Sequence, residues 1–86
     1  MAKVMFAEAR VELTEACMVL RSFTLGRRGS SQRGGLVCIQ RVNAQCKRMM
    51  KLFAEGPYAR EAQHLAASAR TRVLAAETRL ELLRKK

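Results

Sequence analysis

LVCIQRVNAQCKRMMKLFAEGPYAREAQHLAASA, residues 36–69, decides the fold. Ile39, Val42, Cys46, Met49 and Phe53 step by 3, 4, 3 and 4, the spacing that stacks side chains on one face of an α-helix. Met50 widens that stripe, while Arg41, Gln45, Lys47, Arg48 and Lys51 fall on the other face, so residues 36–54 read as a basic amphipathic helix. Glu55-Gly56-Pro57 ends it, because glycine takes the left-handed exit conformation and proline is pre-shaped for the first position of a new helix. From Pro57 to residue 84 a further helix carries Ala62, Leu65, Ala69, Val73, Ala76, Leu80 and Leu83. These step by 3, 4, 4, 3, 4 and 3, a heptad-like stripe with one extra residue between Ala69 and Val73. So short a connection turns the chain back on itself, and the two segments form an antiparallel helical hairpin.

Upstream, Phe6, Ala9, Leu13, Ala16, Leu20 and Phe23 step by 3, 4, 3, 4 and 3 and define an N-terminal amphipathic helix over residues 3–23. Glu8 and Glu12 near its start and Arg21 near its end suit the helix dipole. Leu25-Gly26 supplies a stop, and a basic Gly, Ser and Arg loop occupies residues 24–35. The expected architecture is therefore all-α, three helices in one small domain spanning 1–86, with no strand alternation.

The larger side chains that would carry the packing are Phe6, Leu13, Leu20 and Phe23 from the first helix and Ile39, Val42, Met49 and Phe53 from the second. The third contributes Leu65, Val73, Leu80 and Leu83. The hydrophobic fraction is 49%, but much of it is alanine, with no Trp, three Phe and one Tyr, so the core is thin for a chain of 86 residues. At 1.5 Å per residue the third helix is about 42 Å long and the second about 28 Å, which leaves a leucine-rich end overhanging. Either the first helix or a foreign helix must cover that end. A shared apolar surface with another subunit is the expectation.

The net charge of +10 is unevenly distributed. Residues 1–15 sum to −1, whereas residues 16–54 carry eight bases and no acid. The eight are Arg21, Arg27, Arg28 and Arg33 in and before the loop, then Arg41, Lys47, Arg48 and Lys51 on the second helix. They are the candidate contacts to an acidic partner or to phosphate, whether on protein, anionic lipid headgroups or RNA. Arg27-Arg28-Gly29-Ser30 resembles the substrate pattern of basophilic kinases, which makes Ser30 a candidate phosphorylation site. No apolar run is long enough to span a bilayer, and the acids of residues 8–15 interrupt any secretory signal. From Met18 the arginine- and serine-rich, acid-free composition matches that of a mitochondrial targeting segment, although an internal stretch is more often an ordinary basic loop.

Catalysis finds little footing. His64 is the only histidine, and Glu61 with His64 spells a Glu-x-x-His spacing that lacks the second copy and the further carboxylates a di-iron site requires. Cys17, Cys38 and Cys46 show no metal-ligand spacing, and Cys38 and Cys46, about 12 Å apart along one helix, cannot bridge. They read as free thiols in a reducing compartment. The glycine-rich loop lacks the spacing and the lysine of a nucleotide-binding loop. No catalytic residue, metal site or cofactor is expected, and the chain reads as a non-enzyme.

CIQRVNAQCKRMM opens like an IQ motif but has Ala44 where that motif needs its central arginine, so nothing is carried over. Through Ile39-Gln40-Arg41, Cys46-Lys47-Arg48 and Tyr58 the chain is similar to small LYR-type three-helix proteins of mitochondria, with Gln40 standing where the motif has its aromatic centre. Its small size, alanine and arginine richness and acid-free middle resemble the supernumerary subunits of mitochondrial respiratory or ATP-synthase complexes. That resemblance implies a structural accessory subunit at the matrix side or the inner-membrane periphery, with other subunits of a large complex as partners. The alternative is a small RNA-binding protein of an organellar ribosome; the eight-base field favours it, while the scarcity of aromatic residues for base stacking weighs against it.

Overall fold

A computed structural model describes residues 2–26 and 32–85. They form three helices, α1 (Ala2–Thr24), α2 (Gln32–Leu52) and α3 (Ala59–Arg84), in a bundle of 47 × 18 × 15 Å. The arrangement is all-α, as the periodicity predicts. The start of α1 meets the end of α2, since Phe6 and Phe53 lie with ring centroids 5.1 Å apart at 86°. The end of α1 meets the start of α2, where Phe23 lies against Gly35. Consequently α1 and α3 run parallel and α2 runs against both.

Each helix buries one stripe. On α1 it is Phe6, Ala9, Leu13, Ala16, Leu20 and Phe23, all of those expected. On the second element it is Ile39, Val42, Cys46 and Met49, with Gly35 before them and Phe53 just past the end. No polar or charged residue is buried among the described residues. The first helix therefore answers the need for cover in cis. Its stripe, expected to be shared with a neighbour, is closed by α2 and α3, and Leu80 and Leu83 of the overhanging end are partly buried against the same core.

Departures from the expectations fall in three places: the membership of the buried stripes, the start of α2 and the α2–α3 turn. On α3 it is Ala66, not Leu65, that is fully buried, and Leu65 is only partly so. With Ala66 in the stripe the steps from Ala62 to Leu83 become 4, 3, 4, 3, 4 and 3, and the extra residue disappears. The smaller side chain wins because α2 comes close there: the Cys46 thiol points at the Ala66 carbonyl oxygen at 3.8 Å. Met50, expected to widen the stripe of α2, is 40% exposed.

The second departure is the start of α2, at Gln32 rather than residue 36, so that Gly35 is helical instead of belonging to a loop. A Cβ at Gly35 would lie 2.3 Å from Phe23 Cζ. Burial of the Phe23 ring against this bare backbone offsets the roughly 1 kcal/mol that glycine costs inside a helix. The third is at the α2–α3 turn. Pro57 lies ahead of α3, whose backbone pattern begins with the Ala62 amide donating to the Tyr58 carbonyl at 2.8 Å. Tyr58 stacks on Phe6 at 4.6 Å and 12°, and Phe53 meets Tyr58 edge-on at 6.3 Å, so an aromatic cluster closes this end of the bundle. The expected stops hold: Gly26 has φ +71° and Gly56 φ +99°, both in the left-handed region that favours glycine.

Candidate functional site

The eight candidate cations do not form one patch. Arg27 and Arg28 lie outside the described residues, as does Ser30. Arg21 lines a groove between α1 and α3, together with Leu65, Ala69 and Arg72. Arg33, Arg41, Lys47, Arg48 and Lys51 all sit exposed on α2, on the side away from its buried stripe. That helix contains no acid at all. Sequence periodicity put these side chains together, and the packing of the stripe turns them outward.

Arg48 is set apart from the rest. Its guanidinium donates to a Glu12 carboxylate oxygen on α1, an exposed pair that ties α1 to α2 and neutralises one of the five charges. Arg33, Arg41, Lys47 and Lys51 have no ion-pair partner among the described residues. A face of this kind carries a positive potential that no ion pair within the fold compensates.

Next to it lies a cleft that residue counting misses. Gln40, Asn43, Lys47 and Met50 of α2 face Ala66 and Arg70 of α3 across a groove of about 620 Å³. Lys47 and Arg70 bring two cations from different helices to one opening, with amide groups between them able to accept or donate. Arg70 escapes sequence reasoning because acids and bases are mixed along its segment, so that it does not belong to the acid-free run of residues 16–54; only the α2–α3 pairing places it beside Lys47.

The residues considered for chemistry are spread out. Glu61 faces Arg10 of α1 at 3.7 Å, and His64, one turn further on, is exposed. No group of three or more possible metal ligands occurs among the described residues. Cys17, Cys38 and Cys46 are free thiols. Burial pushes the Cys46 thiol up, the Cys17 thiol adds to that rise and Arg70 opposes it. Burial likewise pushes Cys17 up, against the pull of Arg72. Both are therefore held in the protonated, weakly nucleophilic form. No helix is long and apolar enough to cross a membrane among the described residues.

Comparison with protein-family models, with curated proteins and with solved structures returned no match.

Proposed function

We propose that the chain is a helical accessory subunit, without enzymatic activity of its own, that docks on an acidic surface of a larger protein assembly through the outward face of α2. The observation that carries this reading is the set of unpaired cations Arg33, Arg41, Lys47 and Lys51 on a helix with no acid. The core closed in cis supports the scaffold role, because α2 is held rigidly from behind and presents its charges at fixed positions. The proposed setting is a mitochondrial respiratory or ATP-synthase complex, at the matrix side or inner-membrane periphery. Its support is the arginine- and serine-rich, acid-free composition of residues 18–34.

An RNA ligand would use the same charges, yet it is less favoured. Phe6, Phe23 and Phe53 are buried and Tyr58 is stacked on Phe6, so every Phe and Tyr ring of the chain belongs to the core. None of these four is left to stack on an exposed base. Carboxylates of a protein partner need only the charges. The test is to tag the chain, purify it gently and identify the co-purifying molecules with and without nuclease. A complex of defined proteins that survives nuclease is the expected result; loss of the complex on nuclease treatment, or recovery with ribosomal RNA, refutes the reading.

A further inference from the structure

The first helix carries a second apolar stripe, on the side turned away from the core. Val4, Val11, Met18 and Leu25 recur every seven residues and are 59%, 54%, 64% and 54% exposed. Ala7 and Thr14, also exposed, lie between them at the intervening positions. This is the a and d spacing of a coiled-coil seam, with Val4 and Val11 at a positions and the smaller Ala7 and Thr14 at d positions. A bundle whose α1 needed to face only water would carry polar side chains there. A line of exposed apolar residues from Val4 to Leu25, just past the helix end, about 32 Å long, marks a contact surface.

The two edges of the stripe carry opposite charges. Lys3 and Arg10 precede Val4 and Val11 by one position, and Glu8 and Glu15 follow them by four. Lys3, Glu8 and Glu15 have no ion-pair partner among the described residues, and Arg10 has only the exposed 3.7 Å contact to Glu61. When two copies of α1 lie parallel and in register, the basic edge of each meets the acidic edge of the other: Lys3 opposite Glu8 and Arg10 opposite Glu15, twice over by symmetry. An antiparallel pairing would set base against base and acid against acid.

Net charge selects the same face. The chain carries +10, so two copies repel each other across most of their surface. On α1 three bases, Lys3, Arg10 and Arg21, are matched by Glu8, Glu12 and Glu15. It is the helix on which two copies meet with the least like-charge opposition. Arg21 is the exception within the seam; it also lines the groove beside Arg72, and it weakens the pairing towards Leu25.

We infer that the outer face of α1, centred on Val4, Val11 and Met18, is a parallel two-fold interface between two copies of this chain. One helix per copy is small beside the roughly 800 Å² per partner of a standard interface, so the dimer is a weak one. The interface is separate from the basic face of α2, which remains free on each copy for another partner.

The experiment is sedimentation equilibrium of the whole chain over a wide concentration range. A rise from 9.7 kDa towards twice that mass is expected. Val11→Lys, at an exposed position and with its fold checked by circular dichroism, should hold the chain monomeric. Arg10→Glu should weaken the dimer about fivefold or more, and adding Glu15→Arg should restore it. Neutralising Arg33, Arg41, Lys47 and Lys51 together should leave it in place. A wild-type chain that stays monomeric at every concentration overturns the proposal, as does a dimer indifferent to Val11→Lys. A dimer that tightens with Arg10→Glu overturns the parallel orientation.

Discussion

Replacing Gly35 with alanine should destabilise this protein, although alanine is the better helix former. In an open helix the exchange gains about 1 kcal/mol. Here the new Cβ would stand 2.3, 2.5 and 2.8 Å from Phe23 Cζ, Cε1 and Cε2, well inside contact distance. The Phe23 ring is 6% exposed and cannot swing aside without leaving the core. Overpacking of this kind costs about 1–3 kcal/mol, and full expulsion of a buried Phe about 3–5 kcal/mol. With repacking near 3 kcal/mol and the propensity gain subtracted, the net loss is about 2 kcal/mol, or about 8–16 °C in Tm for a domain of this size. Thermal and urea denaturation of Gly35→Ala should show it. The same exchange in a Phe23→Leu background, where the distal ring atoms are gone, should change sign and stabilise by up to about 1 kcal/mol. A Gly35→Ala chain that melts higher than wild type, or an equal effect in both backgrounds, would refute the close-approach argument.

The corrected stripe of α3 gives a paired test: Ala66→Leu should cost about 1–3 kcal/mol by overpacking against Cys46, whereas Leu65→Ala, at a half-buried site, should cost about 1 kcal/mol; the reverse order in urea denaturation would restore Leu65 to the stripe. At the aromatic end, Phe6→Ala should lose about 3–5 kcal/mol, while Tyr58→Phe, which keeps the stacked ring, should stay within about 0.5 kcal/mol of wild type by the same denaturation assay. Stability should fall at alkaline pH. Cys17 and Cys46 have thiols raised in the folded chain, so unfolding releases protons once pH passes the ordinary thiol value of about 8.5; the contribution is complete below that pH and lost as pH climbs through the raised folded values. A Cys17→Ala/Cys46→Ala chain should lose that part of the alkaline slope, measured as Tm against pH.

Most of the fold is legible in the spacing of apolar residues. Six positions on α1 and five from Ile39 to Phe53 were marked by the 3-and-4 rhythm alone, because an interior stripe must repeat at the helical period whatever it packs against. Alanine defeated the same reasoning at Ala66: between a leucine and an alanine one residue apart, hydrophobicity points to the larger, and only the approach of Cys46 shows that the smaller one fits. Gly35 reads as part of a loop for a related reason, since a glycine among serines and arginines looks like one until Phe23 is seen against it. In the basic surface, the residues of α2 could be named from sequence, as they lie opposite an identified stripe. The Arg48–Glu12 pair and the approach of Arg70 to Lys47 could not, for both join helices whose relative rotation the periodicity leaves open.

The outward face of α2 is the centre of this account, and equal changes in charge at two places test it. Arg33, Arg41, Lys47 and Lys51 replaced together by glutamine remove four charges from α2; Arg60, Arg72, Arg84 and Lys85, exposed on or just after α3, remove four elsewhere. Each tagged variant is purified beside wild type and its protein partners are quantified after nuclease treatment. The account predicts that the α2 variant loses its partners while the α3 variant keeps them. Equal loss in both would mean that net charge alone governs association, and retention by the α2 variant would contradict the assignment of the site.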